Sequence, residues 1–410
     1  MNNLPKLEKI GDYCQVGDGA HTSIKRKESG VLYLSSKNFK DGKLDLSKVS
    51  YISETDFQKH FKDSSKSLTK TKHGDVALSI IGTIGEPYII KKKDIFGISS
   101  AVAFLRSNDR IKTIYLYYWL KSTEFQQAIF SIKGGVAQGY VSLEMIRSLP
   151  LKVFELNQQE TIAFILSTYD NLIENNNCRI AILEEMAQSL YREWFVKFRF
   201  PEHEQAKFVD SSLGRIPEGW EVKKLAEIAK VNPDGITKRN APANIWYIDI
   251  SSVGTGVISE YKKMTFADAP SRARRIIQDN DIVWATVRPN RKQYSYISKP
   301  LKNTIVSTGF AVLRSVNVPS SFLYRAITTD DFTNYLVNNA SGSAYPAVNA
   351  KDFENADILV PHFDLITKFS NLAFNISTQQ QILLNKNKNL KLQRDFLLPK
   401  LISGKINLDQ

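Results

Sequence analysis

Between Asn157 and Phe198 the apolar positions recur in alternating steps of four and three: Ile162, Leu166, Tyr169 and Ile173, then Ile180, Leu183, Ala187, Leu190 and Trp194. That is the heptad spacing that keeps one seam of a helix facing a partner helix. At roughly 1.5 Å per residue the stretch would run on the order of 60 Å, longer than a compact domain needs. One seam position, Asn176, is polar. A lone amide in such a seam lowers stability but fixes register, and Asn176 is read as the register residue. A second seam follows at Ile366, Phe369, Ala373, Ile376, Leu383, Leu390, Leu397 and Leu401, interrupted by Gln380, Asn387 and Arg394. It predicts a second long helix over about Leu365–Ser403.

The remaining patterns come in two sets. In the first, LEKIGDY reads as a short helix-like opening and VLYLSSKNF (31–39) as a buried strand. GDVALSIIGTIGEPYII (74–90) reads as two strands around a glycine-rich turn. SSAVAFLR (99–106) is a further strand, IYLYYWLKSTEFQQAIF (114–130) an amphipathic helix, and SLPLKVF a strand before the long helix. After a connector at about 199–219, LAEIAKV, IWYIDISSV, NDIVWATVRPNR, STGFAVLR and SGSAYPAVNAKDFENADILV echo these landmarks in order. Arg106 matches Arg314 and Val141 matches Val348, at nearly the same offset. The chain is a tandem duplication of a domain followed by a long helix.

Dividing the charge sharpens this picture. Residues 1–156 carry net +8 and 199–363 net +4, whereas 157–198 carry net −3 and 364–410 net +4. Two heptad helices of opposite charge are expected to pair antiparallel, one domain at each end of a rod; the alternative is that each packs on its own domain. The basic excess on the domains suits a polyanion, and duplex DNA is the default candidate. Cys14 and Cys178, too few and too far apart for a disulfide framework or zinc site, point to a reducing cytoplasm. No stretch approaches 18 uninterrupted apolar residues, so no membrane partner is expected.

No catalytic constellation emerges. The five histidines form no HExxH, and neither GxSxG nor GxxxxGK[ST] occurs, so neither a catalytic residue nor a metal ligand is assigned. Asn232-Pro233-Asp234 lacks the second proline and the ring of an adenine-methyltransferase motif. Asp234 with Glu260 and Lys262 superficially meets a magnesium-nuclease pattern, which keeps a self-contained nuclease as a rival reading. A protein scaffold with incidental basic charge is the other rival.

For DNA contact, cations and short polar side chains on loops are the natural candidates. In the first half these are His21, Thr22, Lys25, Arg26, Lys37, Asn38, Thr83, Lys133, Gln138 and Tyr140. In the second they are Lys238, Arg239, Ser252, Arg288, Asn290, Arg291, Lys292, Ser343, Tyr345 and Asn349. The run VRPNRKQY, three cations beside Asn and Gln after a strand, is the most suggestive. Tyr191, Trp194, Phe195 and Phe198 at the end of the first helix either close the rod as core or belong to a partner interface; they are assigned to the interface.

GDVALSIIGTIG and GGVAQGYVSLEMIRSLPL, with LEEMAQSLYREWFVKF (183–198), LGRIPEGWEVKKL (213–225) and LLPKLISGKI (397–406), resemble the specificity subunits of type I restriction-modification systems, across essentially the whole chain. The resemblance implies an α+β protein: two tandem α/β target recognition domains separated by two long helices that pair as an antiparallel coiled coil. It lays the chain out as recognition domain 1 (1–156), central spacer helix (157–198), linker (199–216), recognition domain 2 (217–363), and C-terminal spacer helix with tail (364–410). It further implies a non-catalytic, cytoplasmic subunit that reads a bipartite asymmetric site. Its partners would be duplex DNA, two methyltransferase subunits and endonuclease/translocase subunits. S-adenosylmethionine, ATP and magnesium would sit on those subunits and no cofactor on this chain.

Overall fold

The computed structural model describes residues 5–64, 67–133, 139–237 and 239–406. The chain divides into two units. Residues 1–177 and 384–410 form the first, and 178–383 the second.

In the first unit a four-stranded antiparallel sheet has the order Pro87–Ile89, Val76–Ser79, Val102–Ser107, Cys14–Asp18. Both of its faces are covered. Val76, Leu78, Ala103 and Leu105 point into a helix-lined core, while Ala77, Val102 and Phe104 point into a second core with Leu34, Phe39 and Phe96. Burial on both faces is why these strands read as unbroken apolar runs rather than alternating ones. A three-stranded sheet lies in the same unit, with Val31–Leu34 parallel to Phe96–Ile98 and antiparallel to Ser50–Ile52.

The second unit repeats the topology. Tyr294–Tyr296, Ile282–Ala285, Phe310–Ser315 and Ala229–Val231 make the four-stranded sheet. Asn244–Ile248 pairs parallel to Thr304–Ser307 and antiparallel to Lys262–Thr265. One strand, Ala273–Ile276, is added at the edge of Thr304–Ser307. The side-chain alternation is also repeated: Ile282, Trp284, Ala311 and Leu313 face one core, and Val283, Ala285, Phe310 and Val312 the other.

One ion pair recurs in both units. Arg106 donates from Nε and Nη2 to the buried Asp75 at 2.9 and 2.8 Å, and from Nη1 to Asp63 at 2.6 Å. Arg314 does the same to buried Asp281, 2.8 Å at both oxygens, and to Asp234 at 2.5 Å. Each buried aspartate also accepts a backbone N–H three residues upstream, from Lys72 or Gln278, at 2.7 Å. The carboxylates are thus fully coordinated, which is what makes a buried charge tolerable.

Two local readings change. LEKIGDY is not helical: Lys6–Lys9 is a strand paired with Pro150–Val153, and only Ile10–Asp12 turns as a 3-10 helix. Its counterpart is Glu221–Lys224, paired with Asp357–Val360, so the repeat register at this point starts at EVKK rather than LAEI. The stretch 114–130 is two helices, Thr113–Lys121 and Thr123–Lys133, because Ser122 turns extended and its hydroxyl accepts the Phe125 N–H at 3.2 Å. Within the connector, Phe208–Ser211 and Gly214–Pro217 form a hairpin.

The long helices span Leu156–Tyr191, extended by a π turn at Arg192–Val196, and Phe363–Ile402. They pair antiparallel within each unit. In the first, Asn176 donates to Asn387 at 2.8 Å, Asn387 donates to Asn177 at 2.9 Å, and Arg394 bonds Asp170, which also accepts the Tyr118 hydroxyl at 2.7 Å. In the second, Gln380 donates to Glu184 and to the Ile180 carbonyl, both at 3.3 Å, and Glu184 is gripped by buried Arg325. Gln380, Asn387 and Arg394, which look like interruptions of the second seam, are therefore its polar rungs, one per heptad. Leu401 and Ile402 complete the first core beside Ile162 and Leu166. Tyr191, Phe195 and Phe369 belong to the second.

Replacing Arg314 by Met should lower stability by about 3–5 kcal/mol in chemical denaturation, because Asp281 would be left buried without its countercharge. The amide rung makes a sharper forecast. Asn176→Leu alone should destabilise, by about 1–3 kcal/mol, since it leaves the Asn387 carbonyl oxygen buried without a donor. A double Asn176→Leu, Asn387→Leu chain should recover that loss, and a double variant no more stable than the single would refute this. At Glu184 burial pushes the carboxyl up, but Arg325 and Gln380 outweigh it and hold it below the usual range. Its stabilising contribution should therefore be present above pH ~4.3 and fade as pH falls through the lower folded-state value. Glu184→Gln should flatten that part of the stability–pH curve.

Candidate nucleic-acid interface

In each unit the loop that follows the second strand of the four-stranded sheet meets the loop that precedes a short helix. In the first unit Ile81 bridges to Tyr140, and Val141 donates to the Ile80 carbonyl at 3.2 Å. In the second Val287 bridges to Ala347, and Val348 donates to the Thr286 carbonyl at 3.0 Å. The sequence candidates Thr83 and Tyr140, and Arg288 through Lys292 with Ser343, Tyr345 and Asn349, gather at these two junctions.

The turn at the first junction needs glycine. Gly82 and Gly85 both sit at positive φ, 77° and 92°, and Gln126 donates to the Gly85 carbonyl at 2.7 Å. The pattern SIIGTIGEP thus shapes a turn. At the second junction the left-handed positions are held instead by Arg288 (φ 53°) and Lys292 (φ 51°), flanking a 3-10 turn at Pro289–Arg291. The Arg288 guanidinium lies 4.5 Å from the Tyr345 ring centroid and donates to the Ala344 carbonyl at 3.3 Å, while its N–H donates to the Pro346 carbonyl at 2.7 Å. Lys292 pairs with Asp330 at 2.5 Å. Asn290 and Arg291 are exposed at the tip, and among the described residues their side chains meet no partner. Ser343 and Tyr345 are exposed beside them, Tyr345 at 68%.

A second cluster in the first unit is a depression lined by Arg26, Tyr33, Lys37 and Lys48, with Asp45 as its one acid. Arg26 stacks on Tyr33 at 3.8 Å. His21, Thr22 and Lys25 are exposed on the neighbouring loop, where His21 Nε2 lies 2.6 Å from Asp18 and Thr22 Oγ1 3.2 Å from His60. Lys48 was not singled out from sequence, and nothing beyond its charge marks it there. Arg239 is exposed in the second unit. Gln138, Lys238 and the side chain of Lys133 lie outside the described residues.

Several candidates have structural duties instead. Asn38 is 6% exposed, donates to the Asp45 and Lys48 carbonyls at 2.9 Å each, and accepts from the Ser35 N–H at 2.9 Å. Its hydrogen-bonding capacity is spent on the loop, so it has none left for a base edge. Ser252 is 3% exposed and turns the chain through its backbone. Asn349 caps a short helix by accepting the Lys351 N–H at 2.8 Å. The aromatic cluster is also reassigned. Tyr191 and Phe195 are buried against Phe322 and Phe369, whereas Trp194, against Phe369, and Phe198, against Trp220, are half-buried. Tyr191 and Phe195 are thus core of the second unit rather than a partner surface, and Trp194 and Phe198 pack at the edge of that core.

The nuclease pattern does not assemble either. Asp234 is taken by Arg314 and Gln278, and Glu260 pairs with its neighbour Lys262 at 3.4 Å. Among the described residues no three His, Cys, Asp or Glu side chains are grouped to hold a metal ion. The thiol of Cys14 is buried and pushed up to about 12 by that burial, far from a reactive range.

The family model described as type I restriction modification DNA specificity domain matches residues 8–185 and again 217–386. Over its whole length the chain is 26% identical to the type I restriction enzyme MjaIX specificity subunit of Methanocaldococcus jannaschii, covering 96% of that protein. It is 22% identical to the HindI specificity subunit of Haemophilus influenzae, with 82% of this chain and 87% of that one aligned. Among solved structures, the S subunit of a type I restriction-modification system from M. genitalium superposes with a TM-score of 0.55 at 17% identity, over 98% of this chain and 97% of the other. That likeness speaks to the fold.

Asn38→Ala should cost about 1–3 kcal/mol by orphaning two carbonyls and an N–H of its loop. Lys37→Ala next to it should stay within about 0.5 kcal/mol of the parent. Paired denaturation curves check both, and a stability-neutral Asn38→Ala would return that residue to the list of free surface groups.

Proposed function

The chain belongs to the type I restriction modification DNA specificity domain family, and from that premise we propose that each of its two units reads one half of a bipartite, asymmetric duplex site. The observation that carries this reading is the double match: one specificity domain occurs twice, on two sheets of the same strand order. The two junction loops nevertheless differ in side-chain chemistry, glycines in the first and cations with Asn in the second. Equivalent scaffolds with unlike loops are what an asymmetric target requires.

The chain is a non-catalytic subunit, so its own residues bind and position. Arg26, Lys37 and Lys48 in the first unit offer cations to phosphates, which supply most of the salt-sensitive affinity. Base edges in the major groove are read by side chains with paired donors and acceptors. Within each unit the long helices are held in register by their polar rungs. Methyl transfer and cleavage fall to partner subunits, two methyltransferase subunits and an endonuclease/translocase in the cytoplasm. S-adenosylmethionine, ATP and magnesium would be bound there. No helix among the described residues is long and apolar enough to cross a membrane.

In cells carrying this chain with its methyltransferase subunit, adenine methylation should fall on one two-part sequence with a fixed gap. Methylation scattered without sequence preference would refute the reading. Binding of the assembled complex to unspecific duplex should weaken steeply with salt, and removing Lys37 or Lys48 should each reduce the magnitude of the log–log salt slope by about one. A slope unmoved by either change would exclude them from the phosphate contacts.

A further inference from the structure

The two units place the same turn at the same point of the same sheet, yet only the second bears side chains at its left-handed positions. A residue with a Cβ in that region costs roughly 1–2 kcal/mol, which glycine avoids. Gly82 and Gly85 avoid it in the first unit; Arg288 and Lys292 accept it twice in the second. Backbone strain that persists against an available relaxed alternative is characteristic of sites under functional constraint. What the strain secures is visible. Arg288 holds the opposite loop through the Tyr345 ring and the Ala344 and Pro346 carbonyls, and Lys292 is tied to Asp330 and accepts the Thr255 hydroxyl at 2.9 Å. Pro289, buried and fixed in φ, stiffens the start of the tip. Between these anchors the tip presents Asn290 and Arg291 outward, with their amide and guanidinium groups unspent.

We propose that Asn290 and Arg291 are the base-reading pair of the second half-site, held for that task by Arg288 and Lys292 as positioning residues. The proposal rests on the DNA-reading function above and deepens it. A guanidinium matches the O6 and N7 acceptors of guanine, and a carboxamide matches N6 and N7 of adenine, each in two parallel hydrogen bonds. Both matches demand a side chain whose donors are not already committed, and whose backbone does not move when the base arrives. The anchored turn supplies both conditions. The other cations nearby do not, because Arg288 and Lys292 are already engaged.

The test is selection from a randomised duplex library with the 410-residue chain, followed by sequencing of the retained DNA. The wild-type chain is expected to return a two-part motif. Arg291→Ala and Asn290→Ala should each erase base preference at one or two positions of one half, by roughly 5- to 150-fold in relative affinity, and leave the other half intact. Retention of unselected duplex should change by less than about threefold. An unchanged motif, or an even loss across both halves, overturns the proposal. A wild-type chain that returns no motif instead overturns the DNA-reading function itself, so the two failures are separable. Arg288→Gly supplies the second arm. Glycine relieves the strained φ, so thermal stability should be equal or higher, while base preference at the same positions broadens. A variant that lost stability and kept its motif would make Arg288 a structural residue and refute the positioning role.

Discussion

Two long helices held in a single register are the constraint on which the remaining architecture depends. Apolar heptads alone specify that helices pair, but an apolar seam tolerates a slip of one heptad, because every knob then finds another apolar hole. Polar rungs remove that freedom. Asp170 needs Arg394, Asn176 and Asn177 need Asn387, and Glu184 needs Gln380 and Arg325. After a one-heptad slip the rungs would be mismatched, with Arg394 opposite Asn177 or Ala163 in place of Asp170 and Gln380 opposite Tyr191 or Asn177 in place of Glu184, so the buried charges would lose their partners. The rungs are also tied sideways, through Tyr118 in the first unit and Arg325 in the second, to the helices that pack on the sheets. Within each unit the register of the helix pair and the packing of its neighbouring helix are therefore fixed by the same hydrogen bonds.

The sheets contribute a different kind of rigidity. A sheet buried on both faces has no solvated side along which to relax, and its loops start from a nearly immobile base. The Arg106 and Arg314 clusters extend that rigidity to the strand ends, joining the end of one strand to the start of its neighbour through a buried carboxylate. The junction loops leave the opposite ends of these strands, after Ser79 and Ala285, and can differ completely in sequence without altering the sheet that supports them. Gly82 and Gly85 on one side, and Arg288 through Lys292 on the other, are two solutions built on one frame.

Much of this was legible in the sequence because it depends on periodicity. The heptads of 157–198, the apolar runs at 76–79 and 102–105, and the repetition of GDVALS as NDIVWA reflect burial, and burial writes itself into residue type. The candidate contacts were less legible. Asn38 and Ser252 look like free polar loop residues, and only the folded loop reveals that their partners are local carbonyls and turns. Tyr191 to Phe198 could have been core or contact surface on composition alone; for Tyr191 and Phe195 the contacts with Phe322 and Phe369, far along the chain, decide it. Asp234 resembled a metal ligand until Arg314, some eighty residues away, took its charge. Pairings between distant polar groups leave no mark in local sequence, whereas apolar spacing does.

Leu401 and Ile402, which close the first core, are among the last described residues of a chain whose first unit otherwise ends at residue 177. A ribosome making this protein releases the sheets of the first unit long before it releases the segment that seals them. Until then Ile162 and Leu166 have no cover on that side, and the second unit must be synthesised while they wait. A chain cut short anywhere before residue 397 keeps that face open to solvent, and so stays a target for chaperones and proteases. The first core is therefore sealed only after the whole second unit has been made, which makes the last turns of the second long helix a check on everything translated before them.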